Sequence, residues 1–201
     1  MRRRKVTIWG LTGGIASGKS TVAELLRDHG VKVFNLDSLG KEITARSSVV
    51  QEAIGRIAGP RVIGPNGLDR GKLREVVFSR PEVRRSIEVL LHPLIIGEFE
   101  KRVDEEDKAH TKHLVCEAAL LVESGYYKKL DGLAVVVATE DLRRERLKSR
   151  DGITDSLATS ILAAQLPDEA KEKVATVVLH NGASPEDLKI QVDAWVQRIR
   201  N

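Results

Sequence analysis

A chain of 201 residues, 41% hydrophobic and 31% charged, can bury one sizeable α/β core and has no low-complexity block that would keep it unfolded. Its net charge of +4 resides at one tip, because Arg2, Arg3, Arg4 and Lys5 are the whole excess and the other 29 basic residues balance 29 acidic ones; no broad basic face for a nucleic acid is expected. Aromatic residues make up only 3%, and no apolar stretch approaches the about 18 residues of a membrane span. The single Cys116 allows no internal disulfide, so a cytoplasmic chain with neither nucleic acid nor membrane as partner is expected, and no oligomeric state is indicated.

The first predicted element is a strand over residues 5–10, carried by Val6-Thr7-Ile8-Trp9. It feeds Gly13-Gly14-Ile15-Ala16-Ser17-Gly18-Lys19-Ser20, the phosphate-loop pattern G-x-x-x-x-G-K-S/T. Val22, Leu25 and Leu26 then recur at helical spacing, so a bound phosphate would meet a helix N-terminus. The glycines let successive N–H groups turn toward an anion. Lys19 can reach the β- and γ-phosphates, Ser20 can ligate a phosphate-bound magnesium ion, and Thr21 completes the expected nucleotide contacts.

A second strand is expected over residues 31–36, next to the loop strand, and it places Asp37 at its carboxyl edge. There the carboxylate could accept a hydroxyl proton, hold magnesium through water, or cap the following helix. Residues 37–112 exceed what a crossover helix needs, which predicts an inserted helical subdomain. Gly59-Pro60 and Gly64-Pro65-Asn66-Gly67 mark turns in it. Leu73, Val76 and Val77, then Val83, Ile87, Leu90 and Leu91, have helix-face spacing, and Pro93 after His92 predicts a new helix or a kink.

Strands follow at 113–118, 133–138 and 174–179. Leu133-Ala-Val-Val-Val-Ala138 is continuously apolar, as in a parallel sheet covered on both faces, and the five strands together predict a doubly wound α/β core. Cys116 reads as a buried strand thiol. Residues 139–151, TEDLRRERLKSRD, predict a helix capped by Thr139 that is either a solvated, salt-bridged surface or a mobile lid whose arginines close on phosphates. Asn181-Gly182 is a turn and a candidate contact for the nucleotide base. A last helix over 185–200 carries the stripe Leu188, Val192, Val196 and Ile199.

A phosphate loop alone allows a kinase, a GTPase or an ATP-driven machine. The chain has no N-K-x-D motif, so a GTPase is disfavoured. A kinase for another small molecule and a nucleotide-binding regulatory module remain as alternatives on these residues alone.

Further motifs resemble one family across almost the whole chain, dephospho-CoA kinase. The resemblance rests on Thr12 to Ser20 and Asn35-Leu36-Asp37, and on Gly67-Leu68-Asp69-Arg70 through Leu73, Arg74 and Phe78. It continues at Leu91 to Ile95, Ala119-Leu120-Leu121-Val122-Glu123, Arg146 to Asp151, Ala164 with Gln165, and Asn181-Gly182. It implies transfer of the ATP γ-phosphate to the ribose 3′-hydroxyl of dephospho-CoA, with ATP and Mg2+ as the donor set. The fold implied is a phosphate-loop NTPase-type, doubly wound, five-stranded parallel sheet. Its nucleotide-binding core would span residues 1–58 and 111–201, with a helical acceptor-binding insert at 59–110 and a helical lid at 139–167. Carried over by position, Asp37 is the base, Lys19 and Arg146 neutralise phosphate charge, and Arg146 and Asn181 join residues 13–21 around the nucleotide. Thr12, Asp37, His92, Leu120 and Leu121 are implied to meet the acceptor, and Ser20 the metal. The chain departs from the family at Asn35, where an acid is usual, and at Ala119, where proline is usual.

Overall fold

The computed structural model describes residues 4–65 and 67–200, so Arg2 and Arg3 of the basic tip and the turn residue Asn66 lie outside the described residues. Five parallel strands form the main sheet: β1 (Thr7–Gly13), β2 (Lys32–Asn35), then β5 (His113–Glu117), β6 (Gly132–Val137) and β7 (Val177–His180), in the order β2-β5-β1-β6-β7. All five predicted strands are present. β2, however, is not the neighbour of β1 that was expected: β5 lies between them, its Leu114 to Glu117 facing Lys32 to Asn35 on one side and Ile8 to Leu11 on the other. The buried run of β5 needs a partner on each flank, whereas the half-exposed β2 suits a sheet edge.

Every residue of β6 is buried, so the sheet is covered on both faces. On one face Leu11, Val115, Ala134, Val136 and Leu179 pack with Val22, Ala23 and Leu26 of α1 (Lys19–Asp28) and with Leu188, Val192, Trp195 and Val196 of α9 (Pro185–Arg200). Trp9 meets Trp195 edge to face, with ring centroids 6.0 Å apart. Each large apolar side chain buried here contributes about 1.5–3 kcal/mol, so a charge at Val192, which is fully buried, would break this face. The stripe on α9 was readable from its spacing. α6 (Glu140–Asp151) begins at the predicted cap, Thr139, whose side chain accepts from Leu142 N–H. α7 (Asp155–Ala163) and α8 (Asp168–Glu172) follow, and Leu147, Ala158 and Leu162 pack with Ile15 and Ala16 of the phosphate loop.

The chain divides into two compact units: residues 1–35 with 106–201, and residues 36–105. The insert therefore begins at residue 36, not at the expected 59. The reason is α3 (Ser48–Ala58), whose Val50, Ile54 and Ala58 share a core with Val62, with Val76 of α4 (Arg70–Ser79) and with Val83 and Ile87 of α5 (Pro81–Lys108). α2 (Leu36–Arg46) precedes α3, and Ile43 packs on the same core. A hairpin of β3 (Ile63–Gly64) and β4 (Gly67–Leu68) delivers Asp69 to the start of α4, where its carboxylate accepts from Lys72 N–H at 3.1 Å. That backbone hydrogen bond holds the Asp69 carboxyl below its ordinary range. The Leu-Asp-Arg element thus builds a helix cap.

Pro93 does not start a new helix, since α5 is continuous from Pro81 to Lys108. Proline removes the donor to the carbonyl of Val89. Both residues are exposed, so water can satisfy that carbonyl.

Candidate active site

β1 runs further than its sequence signal, to Gly13, which pairs with Val136 of β6, so the phosphate loop springs from the middle of the sheet. Ser17 N–H closes the loop on Gly14 O at 3.2 Å. Gly18 has φ 100, which favours glycine, and a Cβ there would also strike the Asn181 side chain. α1 starts with no side-chain cap and no acid in its first turn, which leaves its N–H groups and positive dipole end open to an anion. Lys19 Nζ donates to Gly13 O at 2.9 Å and to Gly14 O at 3.1 Å, so the ammonium is already held over the loop. Ser20 and Thr21 are exposed on the first turn of α1, whereas Ser17 is fully buried.

Arg146 and Asn181 converge on the same loop. The Arg146 guanidinium donates to Ala16 O at 3.2 Å and, from its other nitrogen, to Asn181 O at 3.1 Å. Asn181 Nδ2 donates to Ser17 O at 2.8 Å, which ties its amide to the loop backbone. The basic side chains of residues 139–151 divide between two sides of α6. Arg144 pairs with Asp141 and Asp155, and Lys148 with Glu145 and Asp155, as a solvated network, while Arg143 and Arg146, three residues apart, turn to the loop.

Sequence reasoning missed Arg143, which was one of five basic residues in that stretch with nothing to distinguish it. Its side chain is only 9% exposed and donates to Ile15 O, to Asp168 Oδ2 and to Gln165 Oε1, each at 2.9 Å. Gln165 Oε1 also accepts from Ile15 N–H at 2.8 Å. Gln165 belonged to a recognised motif, but only the fold gives it a partner. A cavity of about 520 Å³ opens beside these groups, lined by Thr139, Arg143, Gln165, Asp168, His180 and Gly182 among others.

Two of the expected acceptor contacts are internal. Thr12 is fully buried and its hydroxyl donates to Ala119 O at 3.2 Å, and Leu121 is 2% exposed, whereas Leu120 is exposed. Thr12 thereby fixes the turn that carries Leu120. Glu117 accepts from Asn35 Nδ2 at 2.8 Å. Glu123, in the same turn as Leu120, pairs at 3.4 Å with the fully buried Lys171, which also donates to Leu166 O at 3.0 Å. Burial pushes the Cys116 thiol up to about 12, which removes it from nucleophilic chemistry.

In the second unit, Asp37 is the second residue of α2 and is exposed in its first turn, two residues beyond Asn35, the end of β2. His92 is exposed on α5 beside Pro93. Among the described residues no group of three or more His, Cys, Asp or Glu could hold a metal ion, and no helix is long and apolar enough to cross a membrane.

A parallel sheet in this order, with its central strand running into a phosphate loop and two arginines of one helix anchored on that loop, defines a phosphate-loop kinase. Residues 7–187 match the family model for dephospho-CoA kinase. A dephospho-CoA kinase of Fusobacterium nucleatum is 37% identical over 195 residues, covering 96% of this chain and 99% of that protein. The crystal structure of a Thermus thermophilus protein superposes with a TM-score of 0.82 at 34% identity, over 97% of this chain and 98% of that one. A dephospho-CoA kinase from Campylobacter jejuni gives a TM-score of 0.72 at 27% identity, with 96% of both chains covered. The chain belongs to the dephospho-CoA kinase family, and it is a phosphotransferase with an alcohol group as acceptor.

Proposed function

We propose that the chain transfers the γ-phosphate of ATP to the ribose 3′-hydroxyl of dephospho-CoA, giving coenzyme A and ADP, with the roles divided as follows. The N–H groups of residues 13–18 and of the first turn of α1 receive the phosphates. Lys19 and Arg146 neutralise the charge that spreads over the transferred group. Asp37 takes the hydroxyl proton as the ribose oxygen bonds to phosphorus and the bond to the bridging oxygen of ADP breaks. Leu120 and His92 are proposed acceptor contacts. The observation that carries the reading is Arg146 bound to both Ala16 O and Asn181 O, which puts a second cation on the loop that Lys19 already covers.

Magnesium carried by ATP fits the residues present, because Ser20 offers one exposed hydroxyl beside the helix N-terminus and such an ion keeps mostly phosphate and water ligands. When bound it would offset phosphate charge. We place the protein in the cytoplasm, where the lone buried Cys116 stays reduced.

A coupled ADP-release assay with ATP, magnesium and dephospho-CoA, adenosine, AMP or shikimate as acceptor tests the proposal. Acceleration by dephospho-CoA is the expected result. ATP binding without any accelerated release would instead mark a regulatory module.

A further inference from the structure

We infer that Arg143 is a positioning residue for the donor phosphates, one that acts through the Ile15 peptide without touching the nucleotide. The inference rests on the reading of the loop as the ATP site. A guanidinium that is 9% exposed loses its hydration, and an apolar side chain of similar volume would fill the same space at no such cost. What only the guanidinium offers is a planar fork of donors, and three of its bonds are made, to Ile15 O, Gln165 Oε1 and Asp168 Oδ2. Gln165 completes the grip by accepting from Ile15 N–H. One loop residue is thus held through both its N–H and its C=O, from α6 and from the turn after α7.

Two features show why this residue needs holding. Ala16, the next residue, has φ 59, a left-handed conformation that a residue with a Cβ adopts only when its surroundings impose it. Gly14, the preceding residue, lacks a Cβ in the very space the Arg143 guanidinium occupies, so a side chain there would evict the clamp. The loop and Arg143 are fitted to each other. Arg144 cannot replace it, because that side chain faces Asp141 and Asp155. Fixing Ile15 and Ala16 fixes the directions of the loop N–H groups, and those directions determine how well phosphate is received.

The test compares Arg143→Met and Gln165→Met with the parent chain by calorimetric titration of ADP and by steady-state kinetics. For Arg143→Met the expected result is about tenfold weaker ADP binding, the ratio a single charge-assisted hydrogen bond is worth. KM for ATP should rise in step, while KM for dephospho-CoA stays within about twofold. Gln165→Met, which leaves the Arg143–Asp168 pair in place, should shift ADP binding in the same direction by less, and it decides alone if Arg143→Met does not fold. Unchanged ADP binding in both variants, or a loss shared equally by the two KM values, overturns the inference. A parent chain that binds no ADP would remove the donor reading and the clamp together, whereas a parent that binds and variants that match it would remove the clamp alone.

Discussion

Asn35 Nδ2 donates to Glu117 Oε2 at 2.8 Å across neighbouring strands, at the position where β2 and β5 hold these two residues in register. Glu117 is 6% exposed. An amide and a carboxylate satisfy each other here. Two carboxylates would not, because like charges in a partly desolvated site cannot both ionise without cost.

Asn35→Asp is therefore expected to destabilise the fold at neutral pH by about 1–3 kcal/mol in metal-free buffer. Urea unfolding of parent and variant near pH 8 reads this out. A variant as stable as the parent near pH 8 would show that the Asn35–Glu117 bond contributes nothing.

The same pair shows what the sequence could and could not convey. The strands were legible because β5 and β6 are almost continuously apolar, and the loop because its glycines and Lys19 stand at fixed spacing. The order of strands was not, since nothing in residues 31–36 says that a segment some eighty positions later will pair with them. The boundary of the insert was missed for a similar reason: Val50 and Ile54 meet Val76 and Val83 only in three dimensions. At the site, Lys19 and Arg146 were readable from motif positions. Arg143 was not, because Arg143, Arg144 and Arg150 are chemically equivalent until the helix rotation sends one inward to Ile15 and the others to surface acids.

Lys19→Ala is expected to lower kcat by about 100- to 1,000-fold through lost stabilisation of transition-state charge. The ammonium contacts the carbonyls of Gly13 and Gly14, so the loop should also lose order. Stopped assays with saturating ATP and dephospho-CoA measure the first effect, and a smaller loss in ADP affinity than in kcat separates chemistry from binding. Near-normal turnover would remove Lys19 from the reaction.

Cys116 supplies a prediction about pH. The unfolded thiol ionises near about 8.5, while in the native chain burial pushes that value up to about 12. A folded-state value raised in this way means that the neutral thiol favours folding below the unfolded value, and that the contribution is lost as pH rises through the interval toward 12. The native protein should resist a thiol reagent near pH 8 for as long as it stays folded and be labelled within minutes in urea. Rapid labelling of the native chain would contradict the burial of Cys116.

Asp37→Asn tests the division between donor and acceptor chemistry. The phosphate loop, Lys19 and the Arg146–Asn181 contact are all built from residues of the first compact unit, whereas Asp37 opens α2 in the second. An amide there keeps the size and the helix position of the side chain but cannot take the hydroxyl proton. ADP binding should therefore remain within about twofold of the parent while kcat falls about 100-fold or more, the usual scale for a lost general base. Calorimetry and single-turnover transfer from radiolabelled ATP measure the two quantities separately. If kcat is retained, the proton leaves by another route and Asp37 serves the helix alone; if ADP binding falls with it, the carboxylate acts on the donor side.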